Sequence, residues 1–241
     1  MLAPTDIAKL LKRVPPLFDA AARARRMVLR DPIHRHVRRF SLLHSEVRFL
    51  QIGSNDGMSG DPIREFVVQN KTWRGAFVEP VPQIFSKLRK NYAYLKRPGL
   101  KFFNYAVSDR SGIQDFWKIR DDCLSEFALF ANLIGSFDRD HIVKHFPGIT
   151  ASKLERIHVP CKRYEDVLAD AGLDDVDLLN IDAEGHESRI LRSIPFGRYN
   201  PQLIVFETSH MTDHLRDEIV LMLRRHGYTV EQYPVDCIAS L

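Results

Sequence analysis

The chain has 241 residues, 44% of them hydrophobic, and a formal net charge of +4. That suits one domain, or one domain with an arm, and supplies enough apolar side chains for a single core. No apolar run approaches the roughly eighteen residues of a membrane span. Lys9, Lys12 and Arg13 interrupt any leader-like apolar run, so no secretory signal is expected. The three cysteines, Cys123, Cys161 and Cys237, are odd in number and widely spaced; they fit neither a disulfide framework nor a zinc site and predict a reducing, cytoplasmic setting.

The charge is unevenly spread. Residues 1–44 carry ten Lys or Arg against three Asp or Glu, a net of +7, which leaves the remaining chain at −3. This stretch reads as a basic helical arm. Ile7, Leu10 and Leu11 share one helical face, and Pro15-Pro16 ends that helix. A second helix runs from Leu17 to about Leu29 with Arg23, Arg25 and Arg26, and a third contains His34, His36, Arg38 and Arg39. Basic amphipathic helices can lie on an anionic membrane or meet a protein partner. A helical layer packed on the body with a solvated basic face is the favoured reading. The arm carries no motif and is expected to be dispensable for ligand binding.

From Arg48 onward the chain alternates. Strands are predicted near 48–52, 74–78, 101–106, 176–181 and 202–207, and helices near 62–70, 81–93, 163–171, 185–193 and 213–226. Such alternation predicts a mostly parallel sheet covered on both faces. Gln114 to Ile119 and Ile157 to Cys161 read as further short strands. Tyr228 to Pro234 and Val235 to Ala239 read as a closing antiparallel hairpin. The segment 119–156 breaks the alternation. It is polar and aromatic, with Phe127, Phe130, Phe137 and Phe146, and reads as a substrate-side cap. Within it His141 and His145 stand one helical turn apart. That spacing can make a metal site, but two exposed helix histidines are the commoner explanation.

The organising stretch is Phe49 to Gly57: a short apolar run, then Gly53-Ser54-Asn55-Asp56-Gly57. Asp61 and Pro62 follow as a helix start, an N-cap and a first helical residue. Strand, glycine turn and helix open a nucleotide-type site in an open α/β sheet. Neither phosphate-binding glycine pattern is present. Asp56 inside the turn would repel a pyrophosphate and suits a cationic ligand such as S-adenosylmethionine. Glu79 lies roughly twenty residues further on, where doubly wound folds place the carboxylate that accepts ribose hydroxyls.

At Gln51 to Gly57, Val78-Glu79-Pro80, Asn104 to Asp109 and Asp177 to Glu187 the chain resembles the FkbM-type methyltransferase family. The resemblance runs from about Val47 to the C-terminus, with residues 119–156 matching loosely. It implies a Rossmann-like class I methyltransferase fold with a seven-stranded sheet, an antiparallel C-terminal edge hairpin, and a domain spanning 45–241. It implies S-adenosylmethionine as cofactor and O-methylation, often of a sugar hydroxyl in a glycoconjugate or natural product. On the cofactor side it implies Gly53, Asn55, Asp56 and Gly57 at the methionine part, Glu79 at the ribose, and Ala106, Val107 and Ser108 at the adenine end, with Gln51, Ser54, Pro80 and Asp182 as further cofactor contacts.

For the acceptor, Asp182, Glu184 and Glu187 follow one strand and Glu207 to His210 the next. His210 or His186 beside a carboxylate would serve as a general base. Asp182 and Glu207 could instead hold a divalent cation with vicinal hydroxyls of the acceptor. Asp182 also reads as a helix cap, Glu184 as a carboxylate favoured at a helix start, and His210 as a strand-end cap. A dinucleotide oxidoreductase is disfavoured by the acidic turn. A nucleic-acid methyltransferase is disfavoured by the acidic strand ends and by the lack of a motif for a flipped base. A ligand-binding module without transferase activity is the remaining alternative.

Overall fold

The computed structural model describes residues 31–127, 131 and 134–241. The two basic helices expected before Asp31, and Phe130 in the cap, lie outside the described residues. The first strands are β1 (Arg48–Ile52), β2 (Arg74–Val78), β3 (Leu100–Phe103) and β4 (Ala106–Val107). They are followed by β5 (Gly112–Ile119), β6 (Gly135–Ser136), β7 (Leu154–Lys162) and β8 (Leu178–Ile181). The last three are β9 (Leu203–Glu207), β10 (Thr229–Gln232) and β11 (Asp236–Ser240). The helices are α1 (Pro32–Leu43), α2 (Arg64–Gln69), α3 (Pro82–Tyr92) and α4 (Arg139–His145), then α5 (Tyr164–Ala171), α6 (Glu187–Ser193) and α7 (Asp213–Arg225).

Seven strands form the main sheet in the order β10-β11-β9-β8-β1-β2-β3. The pairs among β9, β8, β1, β2 and β3 are parallel, and β11 runs antiparallel to both β9 and β10. This is the expected Rossmann-like sheet with its antiparallel edge hairpin. The strand order reverses direction at β1, which places a crevice at the carboxyl ends of β1 and β8. The register puts Ile52 beside Val78 and Ile181, and Ile181 beside Phe206. Four turns therefore leave one edge of the sheet together.

Alternation sorts the strand residues onto two cores. Leu50, Ile52, Val78, Leu179, Ile181 and Phe206 face α5, α6 and α7. Phe49, Phe77, Leu178, Leu203 and Val205 face α1, α2 and α3. Helix α1 belongs to this second layer: Val37 is fully buried, and His34 meets Glu65 of α2 at 3.1 Å. Its Arg35, Arg38 and Arg39 are exposed. A boundary at residue 44 thus cuts behind a packed helix.

Two local details depart from the sequence reading. The strand expected over 101–106 splits, because the Asn104 amide donates to the carbonyls of Glu79 (2.9 Å) and Pro80 (3.0 Å) and turns the chain out of the main sheet. Ala106 and Val107 then join a second sheet, in the order β4-β7-β5-β6. The helix expected from residue 62 begins at Arg64; Asp61 still accepts from the backbone N–H of Ile63 (3.0 Å) and Arg64 (2.9 Å).

The second sheet frames the 119–156 segment, whose ends lie in β5 and β7 and whose middle supplies β6. The two further strands are longer than expected and pair antiparallel as β5 and β7. Ile119, Ala131, Ile134, Ile142, Phe146 and Leu154 give this region a small core of its own. It presents Phe116, Gly135 and Phe137 towards the strand ends of the main sheet.

Candidate active site

The glycine turn after β1 is tied to its neighbours. The N–H groups of Gly53 and Ser54 both donate to the Val78 carbonyl at 3.0 Å. Ser54 Oγ donates to the Gln51 carbonyl (2.9 Å) and accepts from the Val78 N–H (3.1 Å). Gly53 has φ +74°, and a Cβ there would stand 1.6 Å from the Asp182 carbonyl oxygen. Only glycine lets the turns after β1 and β8 approach this closely. Asn55, with φ +52°, also takes the left-handed conformation. Its N–H donates to Glu79 Oε2 at 3.0 Å, and the Val81 N–H donates to Glu79 Oε1 at 2.9 Å. The Glu79 carboxylate is thereby fixed by two backbone donors.

A cavity of about 540 Å³ opens over these turns. Of the residues predicted for the cofactor, Gly53, Asn55, Glu79, Pro80, Ala106, Val107 and Asp182 line it. The others do not. Ser54 stitches β1 to β2. Asp56 accepts from the N–H of Met58 (2.9 Å) and Ser59 (2.7 Å), so its charge serves the loop rather than the cavity. A Cβ on Gly57 would meet Leu88 and Tyr92 at 2.6 Å, which makes it a packing glycine under α3. Gln51 lies on the opposite face, in register with Asn180; Gln51 Oε1 and Asn180 Nδ2 are buried without a hydrogen-bond partner among the described residues. Ser108 is fully buried and 3.0 Å from His186 Nε2.

His186 stands apart from the acceptor candidates. Its ring lies against Phe137, tilted by 34° with centroids 4.2 Å apart. Burial, reinforced by Arg189, pushes it down to about 4, so the ring is neutral. Its hydrogen bond to Ser108 ties the β8 turn to the turn after β4, while Phe137 joins it to the cap.

Asp182, Glu187 and Glu207 do converge, with carboxylate oxygens within 4.8 Å of one another. Glu187 closes its own turn, accepting from the N–H of Ala183 (2.7 Å) and Gly185 (3.2 and 3.1 Å). Asp182 reaches solvent through the cavity but is otherwise ringed by protein. That crowding, and then Glu207, Glu184 and Glu187, raise its carboxyl well above the usual range. Burial would raise Glu207 too, but His210 and Ser209 outweigh it and hold it low. The two carboxyls therefore titrate against each other, Asp182 pushed up and Glu207 held down. His210 Nε2 lies 3.4 Å from Glu207 Oε2 and 3.8 Å from Glu184 Oε2, and the Glu207 contact raises it.

His210 faces a second, larger cavity of about 890 Å³, with His141 and His145 of α4 on its wall. The helix histidines are not two exposed side chains: His141 is buried and His145 half-buried. His141 Nε2 is 2.9 Å from Glu184 Oε2. Glu184 lines the first cavity and holds a left-handed φ of +50°. Sequence reasoning gives Glu184 only a helix-start role and does not single out Phe116, Gly135 or Phe137 as lining. The positive φ beside Gly185 follows from the fold, and the second sheet's placement over the strand ends leaves no local signal.

The sequence pattern described as the methyltransferase FkbM domain matches residues 51–230. A protein named 31-O-demethyl-FK506 methyltransferase FkbM, from Streptomyces tacrolimicus, is 30% identical over 173 residues, covering 65% of each chain. A protein named 2-O-methyltransferase NoeI, from Sinorhizobium fredii, is 31% identical over 166 residues, covering 66% of this chain and 61% of its own. The chain thus spans somewhat less than two thirds of the length of these two relatives. The matched residues include the turns after β1, β2 and β8 that line the first cavity, and the chain belongs to the methyltransferase FkbM domain family.

Proposed function

We propose that this protein is an S-adenosylmethionine-dependent O-methyltransferase whose acceptor is a hydroxyl of a sugar-like polyol in a glycoconjugate or natural product. The observation that carries the reading is Glu79, fixed by two backbone N–H groups on the wall of the same cavity as Asp182. Each Glu79 oxygen spends one lone pair on the backbone and keeps one for a ribose hydroxyl. Val78, Val107, Phe116 and Phe137 offer apolar walls to a purine, and Gly53, Asn55 and Asp182 offer polar groups to an amino-acid end. The residues therefore fit the cofactor, which when bound supplies an activated methyl group on a sulfonium.

What the chain must add is position and a proton acceptor. The acceptor oxygen has to share the strand-end edge, beside the β8 and β9 turns. Asp182 faces the cofactor cavity, with Glu207 behind it and His210 behind Glu207. That order supports the Asp182–Glu207 pair as the group that takes the hydroxyl proton. Both relatives' names place their methyl transfer on oxygen. Carboxylates at this edge suit hydroxyl donors and oppose the phosphates of nucleic acid.

Two measurements test the reading. Labelled S-adenosylmethionine incubated with glycans, lipids and small polyols should give labelled product with at least one hydroxylated acceptor. Label confined to nucleic acid would reject it. Separately, Glu79→Ala should weaken cofactor binding by roughly 1.5–3 kcal/mol, the value of a hydrogen bond to a charged group. Burial pushes Glu79 up to about 7 against the pull of the Val81 and Asn55 N–H groups. The ionised form accepts ribose hydroxyls best, so calorimetric affinity should rise from about pH 6 to about pH 8. Glu79→Gln should flatten that rise; an unchanged slope would place the titrating group elsewhere.

A further inference from the structure

The geometry points to a divalent transition-metal site of the zinc class, held by His141, His145, Glu184 and His210 between the cap and the main sheet. Three separate elements bring these side chains together. His141 and His145 lie one turn apart on α4, Glu184 sits in the turn after β8, and His210 follows β9. One nitrogen or oxygen from each lies within 4.8 Å of all the others. A tetrahedral zinc with bonds of about 2.0–2.1 Å sets its ligand atoms about 3.4 Å apart. The observed separations of Glu184 Oε2 from the His141 and His210 nitrogens, 2.9 and 3.8 Å, bracket that value.

The rings meet at 4.2 Å (His141 and His210), 4.7 Å (His141 and His145) and 4.9 Å (His145 and His210). An aromatic cluster alone would not need a carboxylate within reach of all three. Imidazole nitrogens with one carboxylate are donors that suit zinc, iron, cobalt or nickel rather than magnesium or calcium. The backbone makes room for the set: Gly185 has φ +95°, and a Cβ there would press on His141 Nδ1 at 3.1 Å. Ser136 Oγ donates to the Glu184 carbonyl at 2.8 Å, tying the same turn to the cap. Lys144 also borders this cavity and is a competing positive charge on its rim.

Glu184 lines the first cavity and contacts His141 and His210 of the second, so a cation here stands at the border between cofactor and acceptor. An acceptor hydroxyl entering as a fifth ligand would lose its proton more readily. The O–H bond would break with the proton passing to the Asp182–Glu207 pair. An O–CH₃ bond would form as the C–S bond breaks, with the electron pair left on sulfur. This acceptor role rests on the methyl-transfer reading; the metal site itself does not.

The test uses full-length, tag-free protein stripped with EDTA and titrated with Co²⁺, followed by visible absorption, and with Zn²⁺, followed by calorimetry. One ion per chain is expected, with the absorption of a low-coordinate nitrogen-rich site. Loss of a mere outer partner of a ligand costs 10–100-fold, so His145→Ala and His210→Ala should each weaken binding by more than about a hundredfold. Asp182→Asn should leave the affinity at the wild-type level. Circular dichroism checks the variants, and half-buried His145 keeps the test decisive if the His210 variant unfolds. No saturable binding, or binding lost in Asp182→Asn and kept in His145→Ala, would overturn the assignment. Stoichiometric binding without methyl transfer to any acceptor would keep the site and reject only its acceptor role.

Discussion

Gly53→Ala should lower stability by about 3 kcal/mol or more, through a left-handed backbone forced on a residue with a Cβ and an overlap that the neighbours cannot relieve. The obstructing atom is the Asp182 backbone carbonyl, 1.6 Å from the new Cβ, not the tip of a flexible side chain. Relief would require the turns after β1 and β8 to part. Those turns carry Asn55 on one side and Asp182 and Glu184 on the other, so the cofactor cavity would distort along with the fold. Gly60→Ala is the matched control. Gly60 has a similar φ of +71° but nothing within 4 Å of the added carbon. It should cost only about 1–2 kcal/mol, the backbone share alone. Urea unfolding of both variants separates the two terms. Equal midpoints would mean that the turns are not in contact.

Asp182→Asn should cut turnover by about a hundredfold or more, the contribution of a positioned proton acceptor. Asparagine keeps the shape and removes the basic oxygen. Cofactor affinity should stay within a few-fold, so the loss falls on kcat rather than on binding. Glu207→Gln should reproduce the loss, as the proposed proton-sharing pair requires, and the double variant should be little worse than either single one. Losses that multiply would show two independent roles. Full turnover in both variants would move the proton acceptor elsewhere on the strand-end edge.

The sheet is legible in the sequence because each parallel strand is an apolar run and each helix carries a periodic face. Such runs can be read without knowing the partner strand: β2 and β9 stand out as Arg74–Val78 and Leu203–Glu207, with nearly every residue buried. Glu79 is legible from its distance to the glycine turn. Ser54, Asp56, Gly57 and Ser108 fall inside matching motifs, yet their partners are backbone groups and packing side chains rather than the cavity. Their roles depend on which way each side chain turns, and a motif does not record that. The pairing of His141 with Glu184, 43 residues apart in sequence, is tertiary and gives no local sign beyond the one-turn spacing of two histidines.

We propose that the strand-end cavity holds S-adenosylmethionine with Glu79 at its ribose. Calorimetry with S-adenosylhomocysteine and, in parallel, a nicotinamide dinucleotide tests it most directly. The expected result is one S-adenosylhomocysteine per chain, binding weakened in Glu79→Ala, and no heat from the dinucleotide. Tight dinucleotide binding with no response to S-adenosylhomocysteine would contradict it.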